Sequence, residues 1–186
     1  MVALMASAPL ALTGSYAAAH GTQNETTSHA TTEVAAPPQA DIKPFEDAKL
    51  SLTQAISDAQ REMRGNTLEA RFEVWHGEPS YLIRTWSTNQ VWQGRIDANN
   101  GRFIDQPMAI PEDQLSPRLK KDIAGLQNVQ TNLMQAVQSA EQKEGGKAML
   151  ASVQSRSPGS ASYRLDLVKN NRLHVAMVDA QTGQLR

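Results

Sequence analysis

From Leu52 to Met63 the apolar side chains recur as Leu52, Ala55, Ile56, Ala59 and Met63. That 3.6-residue period lays one apolar stripe along a helix. Ser51 precedes it as an N-cap with Gln54 three residues on, the pairing of a capping box. Gly65 stands where a left-handed residue ends a helix. The period then drops to two. Leu68, Ala70, Phe72 and Val74 alternate with Glu69, Arg71, Glu73 and Trp75, as in a half-buried strand. After the turn His76-Gly77-Glu78-Pro79, a second strand carries Tyr81, Ile83 and Thr85 in one phase and Leu82, Arg84 and Trp86 in the other. A tight turn at Thr88-Asn89 leads to a third strand that stops at Asp97, and Asp97-Ala98-Asn99-Asn100-Gly101 closes the unit. Residues 46–105 thus predict a helix packed on a three-stranded antiparallel sheet.

The pattern recurs. Leu52 set over Leu133 gives an offset of 81, which places Gln54-Ala55 on Gln135-Ala136, Ala59 on Ala140 and Gly65 on Gly146. Past the next turn the offset becomes 82, with Tyr81 on Tyr163, Ile83 on Leu165, Asp97-Ala98 on Asp179-Ala180 and Gly101 on Gly183. Two offsets differing by one residue, each held over a long run, mark an internal duplication. The predicted fold class is α+β: two tandem repeats, 46–105 and 128–186, each a helix on a three-stranded antiparallel sheet. Between them, 106–127 reads as a linker in which Ser116-Pro117 caps a helix reaching Leu126. One unit of this size has a thin core, so the pair is expected to share an interface. Leu173, Val175 and Met177 in one phase, with Ala176 and Val178 in the other, predict a last strand covered on both faces.

The amino terminus follows another rule. MVALMASAPLALTGSYAAAH is apolar and then small, with Ala17-Ala18-Ala19 matching a cleavage site, so 1–19 reads as a signal peptide despite lacking a basic start. Its apolar run falls short of the ~20 residues that span a bilayer, and no membrane span is expected in the mature chain. Residues 20–45, rich in Thr, Ala and Pro without an apolar period, read as a flexible linker. Together these place the protein in the periplasm or outside the cell.

Charge and composition narrow the chemistry. With 18 basic against 19 acidic residues the net charge is −1, and no dense basic cluster favours nucleic acid. The absence of cysteine removes disulfides, thiolate metal sites and a Cys nucleophile. No nucleophile–base pair, phosphate loop or spaced metal-ligand set stands out, so no catalytic residue, metal site or cofactor is predicted. Asp97 and Asp179 each bring one carboxylate to a turn, too few for calcium. His20, His29, His76 and His174 are isolated and read as surface or packing residues. All three tryptophans lie in the first repeat. Trp92 shares the phase of Gly94 and Ile96 and is expected in the core. Trp75 and Trp86 fall on the opposite phase beside Arg84, forming either a partner-binding patch or the face that meets the second repeat.

The repeated motif resembles the PepSY domain. It runs Gln54-Ala55-Ile56, Ala59, Gly65, Tyr81, Ile83 and Ile96-Asp97-Ala98-Asn99-Asn100-Gly101. Its second copy runs Gln135-Ala136-Val137, Ala140, Gly146, Tyr163, Leu165 and Val178-Asp179-Ala180-Gln181-Thr182-Gly183. The resemblance implies an α+β unit of the kind found in propeptides of thermolysin-like metallopeptidases and in exported bacterial proteins. It implies inhibition of a peptidase, or non-catalytic binding of a protein partner. It also implies structural roles for Gln54, Ala55, Tyr81, Asp97, Gly101, Gln135, Ala136, Tyr163, Asp179 and Gly183. The sequence carries no peptidase domain, so inhibition would act on a separate chain. The expectation is an exported, non-enzymatic protein that binds a protein partner, a peptidase in its sharpest form. The alternative is an envelope protein that binds a small ligand or metal in a groove between the repeats.

Overall fold

The computed structural model describes residues 36–186; the predicted signal peptide and most of the predicted linker after it lie outside that span. A 3₁₀ turn, Gln39–Asp41, runs into α1 (Ile42–Asp47). Ile42 and Phe45 are each only 3% exposed. The linker expected to run flexibly to residue 45 is therefore core structure at its end, because Phe45 docks edge-to-face on Phe72 with ring centroids 5.3 Å apart.

Then come α2 (Leu52–Glu62), β1 (Asn66–Trp75), β2 (Glu78–Ser87), β3 (Gln90–Asp97), β4 (Met108–Pro111), α3 (Pro117–Gly125), α4 (Leu133–Glu144), β5 (Lys147–Ser157), β6 (Ser160–Lys169) and β7 (Arg172–Asp179). The α+β class is as expected, but the strands do not form two separate sheets. They make one seven-stranded sheet in the order β4-β3-β2-β1-β5-β6-β7, every described pairing antiparallel. The seam is the pairing of β1 with β5 through Glu69–Ser152, Ala70–Ala151 and Arg71–Leu150. The segment read as linker supplies β4, which pairs along the outer edge of β3 at Gln90–Gln93.

Both α2 and α4 begin with the capping box expected of them, Ser51 with Gln54 and Asn132 with Gln135. Gly65 does not cap α2, whose C-cap is Met63. It lies at φ +131°, and a Cβ there would run into the Trp86 carbonyl oxygen. Gly146, at φ +94°, stands in the same relation to the Val168 carbonyl. Each glycine therefore lets a strand begin close against its neighbour's backbone. The two-residue turns at Thr88-Asn89 and Asn170-Asn171 carry positive φ at both positions, the geometry that matches strand twist in tight hairpins.

Helices α2 and α4 lie on one side of the sheet and bury Leu52, Ala55, Ile56 and Ala59, and Leu133, Ala136, Val137 and Ala140, against Ala70, Phe72, Tyr81, Ile83, Tyr163 and Leu165. Bulges at Leu68 and Met149, both buried, interrupt β1 and β5 just before the seam and sharpen the local twist. Strand β7 is not covered on both faces: among the described residues it is an edge strand, and Val175 is 62% exposed.

Candidate functional site

The motif residues act first on architecture. The Tyr81 hydroxyl, at the end of a fully buried ring, donates to the Leu50 carbonyl at 2.6 Å, just ahead of α2. The Tyr163 hydroxyl donates to the Thr131 carbonyl at 2.6 Å, just ahead of α4. Burial pushes both phenols upward, Tyr163 to about 12 and Tyr81 higher, with Glu141 adding to the effect at Tyr81. Asp97 accepts from the Asn99 N–H at 2.7 Å, and Asp179 from the Gln181 and Thr182 N–H groups at 2.9 and 3.0 Å. Those backbone donors hold the Asp179 carboxyl below the usual range, aided by Arg186. Each aspartate organises its closing turn.

The second side of the sheet is polar. Strand register places Gln93, Arg84, Glu69, Ser152 and Arg164 in one row across it, and Arg95, Leu82, Arg71, Leu150 and Asp166 in the next. Glu69 is 4% exposed, with one carboxylate oxygen 2.8 Å from Arg84 Nη1 and the other 3.6 Å from Arg71 Nη1. Glu73 bridges Arg71 at 3.2 Å and Arg95 at 2.6 Å. Across the seam Arg164 grips the buried Asp166 with two bonds of 2.9 and 3.0 Å. A buried carboxylate requires such pairing. The apolar residues of the helices join a core cluster to which Leu82 and Leu150 of this side do not belong.

Of the three residues expected to form one binding patch, Arg84 and Trp86 stay two positions apart on β2, whereas Trp75 lies at the far end of the hairpin. Trp86 pairs with Asn66 at the start of β1, whereas Trp75 ends that strand opposite Glu78. Nine residues of strand keep them about 30 Å apart. Trp86 packs against the core cluster, beside the fully buried Val91, which itself pairs with Ile110 of β4. Arg84 is engaged by Glu69 and by the Gln93 side-chain oxygen at 2.8 Å. Trp92 packs against the core as expected.

Trp75 differs from both. It is half-buried, stands outside the core cluster, and carries the Arg95 guanidinium 3.6 Å above its ring. The His76 ring meets it edge-on at 4.5 Å between centroids. Sequence reasoning passed over Arg95, although its alternation in β3 puts it in register with Leu82 and so on the polar side with Arg84.

Three crevices lie between the halves. One, of about 190 Å³, is bounded by Leu50, Ser51, Gln54, Glu141 and Lys147; a second, of about 80 Å³, by Gln60, Asn66, Leu133 and Tyr163; the third, of about 390 Å³, by Phe45 and Glu46 facing Gly146, Val168 and Lys169. The first two fall below the size usual for small-molecule sites, and the third lies at its lower end. Among the described residues no three His, Asp or Glu side chains converge to hold a metal, and no helix is long and apolar enough to cross a membrane.

No family model matches the chain, and no curated protein matches it. A solved structure to which it is similar is that of a "putative lipoprotein" from Clostridium difficile 630, at 18% identity and a TM-score of 0.44. The match covers 75% of this chain and 92% of that one.

Proposed function

We propose that the protein is an exported, non-catalytic binding protein built from two PepSY-like units, which recognises a protein partner through the Trp75 end of the polar side of its sheet. Support for two copies of one unit comes from paired details at offsets of 81 and 82. These are the capping boxes, the tyrosine bonds to Leu50 and Thr131, and the bulges at Leu68 and Met149. Because the motif residues serve helix entry and turn closure, recognition falls to side chains that the core does not use. The observation that carries the reading is that Trp75, alone of the three tryptophans, lies outside the core while stacked beneath an arginine. Aromatic–arginine pairs of this kind are typical interface anchors. A peptidase is the sharpest form of the partner, on the resemblance to propeptide units, and the periplasm or cell exterior is the expected compartment. The ligand-binding alternative is the weaker reading, because two of the three crevices between the halves are too small for it and the third, at about 390 Å³, only reaches the lower end of the usual size.

The test is capture from envelope extract on immobilised wild-type and Trp75→Ala protein, read by quantitative mass spectrometry, with an activity assay on any peptidase recovered. A partner held by the wild type should bind Trp75→Ala about 2 kcal/mol more weakly, while the melting temperature stays nearly unchanged. Trp86→Ala should do the reverse, costing about 2–3 kcal/mol of stability. Partners captured equally by wild type and Trp75→Ala would overturn the assignment.

A further inference from the structure

At the end of the sheet opposite Trp75, helix α3 and the ends of β5 and β6 enclose a cleft of about 720 Å³. Four cationic side chains line it, Arg118, Lys121, Arg156 and Arg186; Asp122 is the one acidic residue among the lining, and Asp179 pairs with Arg186 beside it. The chain as a whole carries a net charge of −1, so this is a local concentration of positive charge.

The cleft is held in shape from below. Asp122, 8% exposed, accepts the Ser155 N–H at 2.8 Å and sits 3.8 Å from Arg118 Nε, fixing α3 to the end of β5. Gly125 permits the approach, because a Cβ there would strike the Ser155 side chain. Arg186 is engaged by Asp179. Lys121 and Arg156 are exposed and make no direct ion pair among the described residues. Their charges remain available to a ligand.

We propose that this cleft docks an acidic stretch of polypeptide, two or more carboxylates of which pair with Lys121 and Arg156 while its backbone lies along Gln154 and Ser162. The chemistry selects this occupant. The space exceeds what one small anion would fill and lies within the range of sites that enclose larger ligands. No aromatic ring lines it, so it lacks the stacking platform by which single-stranded nucleic acid is held. The Gln154 and Ser162 side chains offer hydrogen bonds suited to peptide groups, and Met177 gives an apolar wall. The site goes beyond the assignment of Trp75 and stands independently of it.

Fluorescence anisotropy on the full chain tests this with a labelled octapeptide of alternating glutamate and alanine and its glutamine–alanine counterpart. The acidic peptide should bind, and binding should weaken as salt rises. The double variant Lys121→Gln, Arg156→Gln should bind about tenfold more weakly, as befits two partly exposed charge pairs. Both side chains are exposed, so its melting temperature should match the wild type, and Lys121→Met alone provides a second, stem-preserving check. Trp75→Ala should bind the acidic peptide as the wild type does, which separates this site from the other. Equal binding of the glutamine peptide, unchanged affinity in the double variant, full displacement by millimolar inorganic phosphate, or tighter binding of a single-stranded oligonucleotide would each overturn the proposal.

Discussion

Tyr81 and Tyr163 show how one side chain joins two levels of the structure. Each ring fills the core between helix and sheet, while its hydroxyl satisfies a carbonyl in the segment leading into the helix. A lost bond of this kind costs about 1 kcal/mol. The same burial makes the protein sensitive to alkali. An unfolded tyrosine ionises near 10.0, whereas Tyr163 resists ionisation to about 12 and Tyr81 beyond it. With folded values raised, the stability is fully present below pH 10 and is lost as pH rises toward the folded values. Tyr163 alone should remove ~2–3 kcal/mol by about pH 12. Denaturant midpoints between about pH 9 and about pH 11 should fall steeply in the wild type, and much less in the double variant Tyr81→Phe, Tyr163→Phe. Equal slopes would show that these phenols are not the groups responsible.

The elements make the division between legible and hidden features plain. Helices α2 and α4, with their caps, follow from a 3.6 period and two capping boxes, because those signals are local. The three strands of each half follow from alternation and turn residues for the same reason. Strand β4 is different: Met108-Ala109-Ile110-Pro111 has no alternation of its own, and only the open edge of β3 makes it a strand. The burial of Phe45 escapes notice likewise, since its partner Phe72 lies 27 positions away. Alternation placed Trp75 and Trp86 on one side of the sheet, but only the hairpin register reveals that they sit at opposite ends. The turns yield a prediction. Thr88 holds φ +49°, a conformation unfavourable for a β-branched residue, where the corresponding turn uses Asn170 at φ +52°. Thr88→Asn should therefore raise stability by about 0.5–1 kcal/mol, read as a shift of the urea midpoint. A lowered midpoint would mean that the 3.3 Å contact between the Thr88 and Ser87 hydroxyls outweighs the relief of backbone strain.

Across the whole molecule, the antiparallel seam of β1 with β5 turns two thin layers into one sheet, with the helices of both halves in a single core cluster. Burial on that side accounts for most of the apolar residues, while ion pairs such as Glu69 with Arg84 occupy the other beside the buried Leu82 and Leu150. Trp75 lies outside the core cluster, at the end of that second side and beneath Arg95, and on it rests the assignment of partner recognition. The indole N–H resonances of the full chain, titrated with the protein recovered from envelope extract, test this most directly. Three signals are expected, and the one missing from Trp75→Ala identifies its source. That signal should shift or broaden as partner is added, while those of Trp86 and Trp92 hold their positions. Movement of the Trp86 or Trp92 signal with an unaltered Trp75 signal would contradict the account.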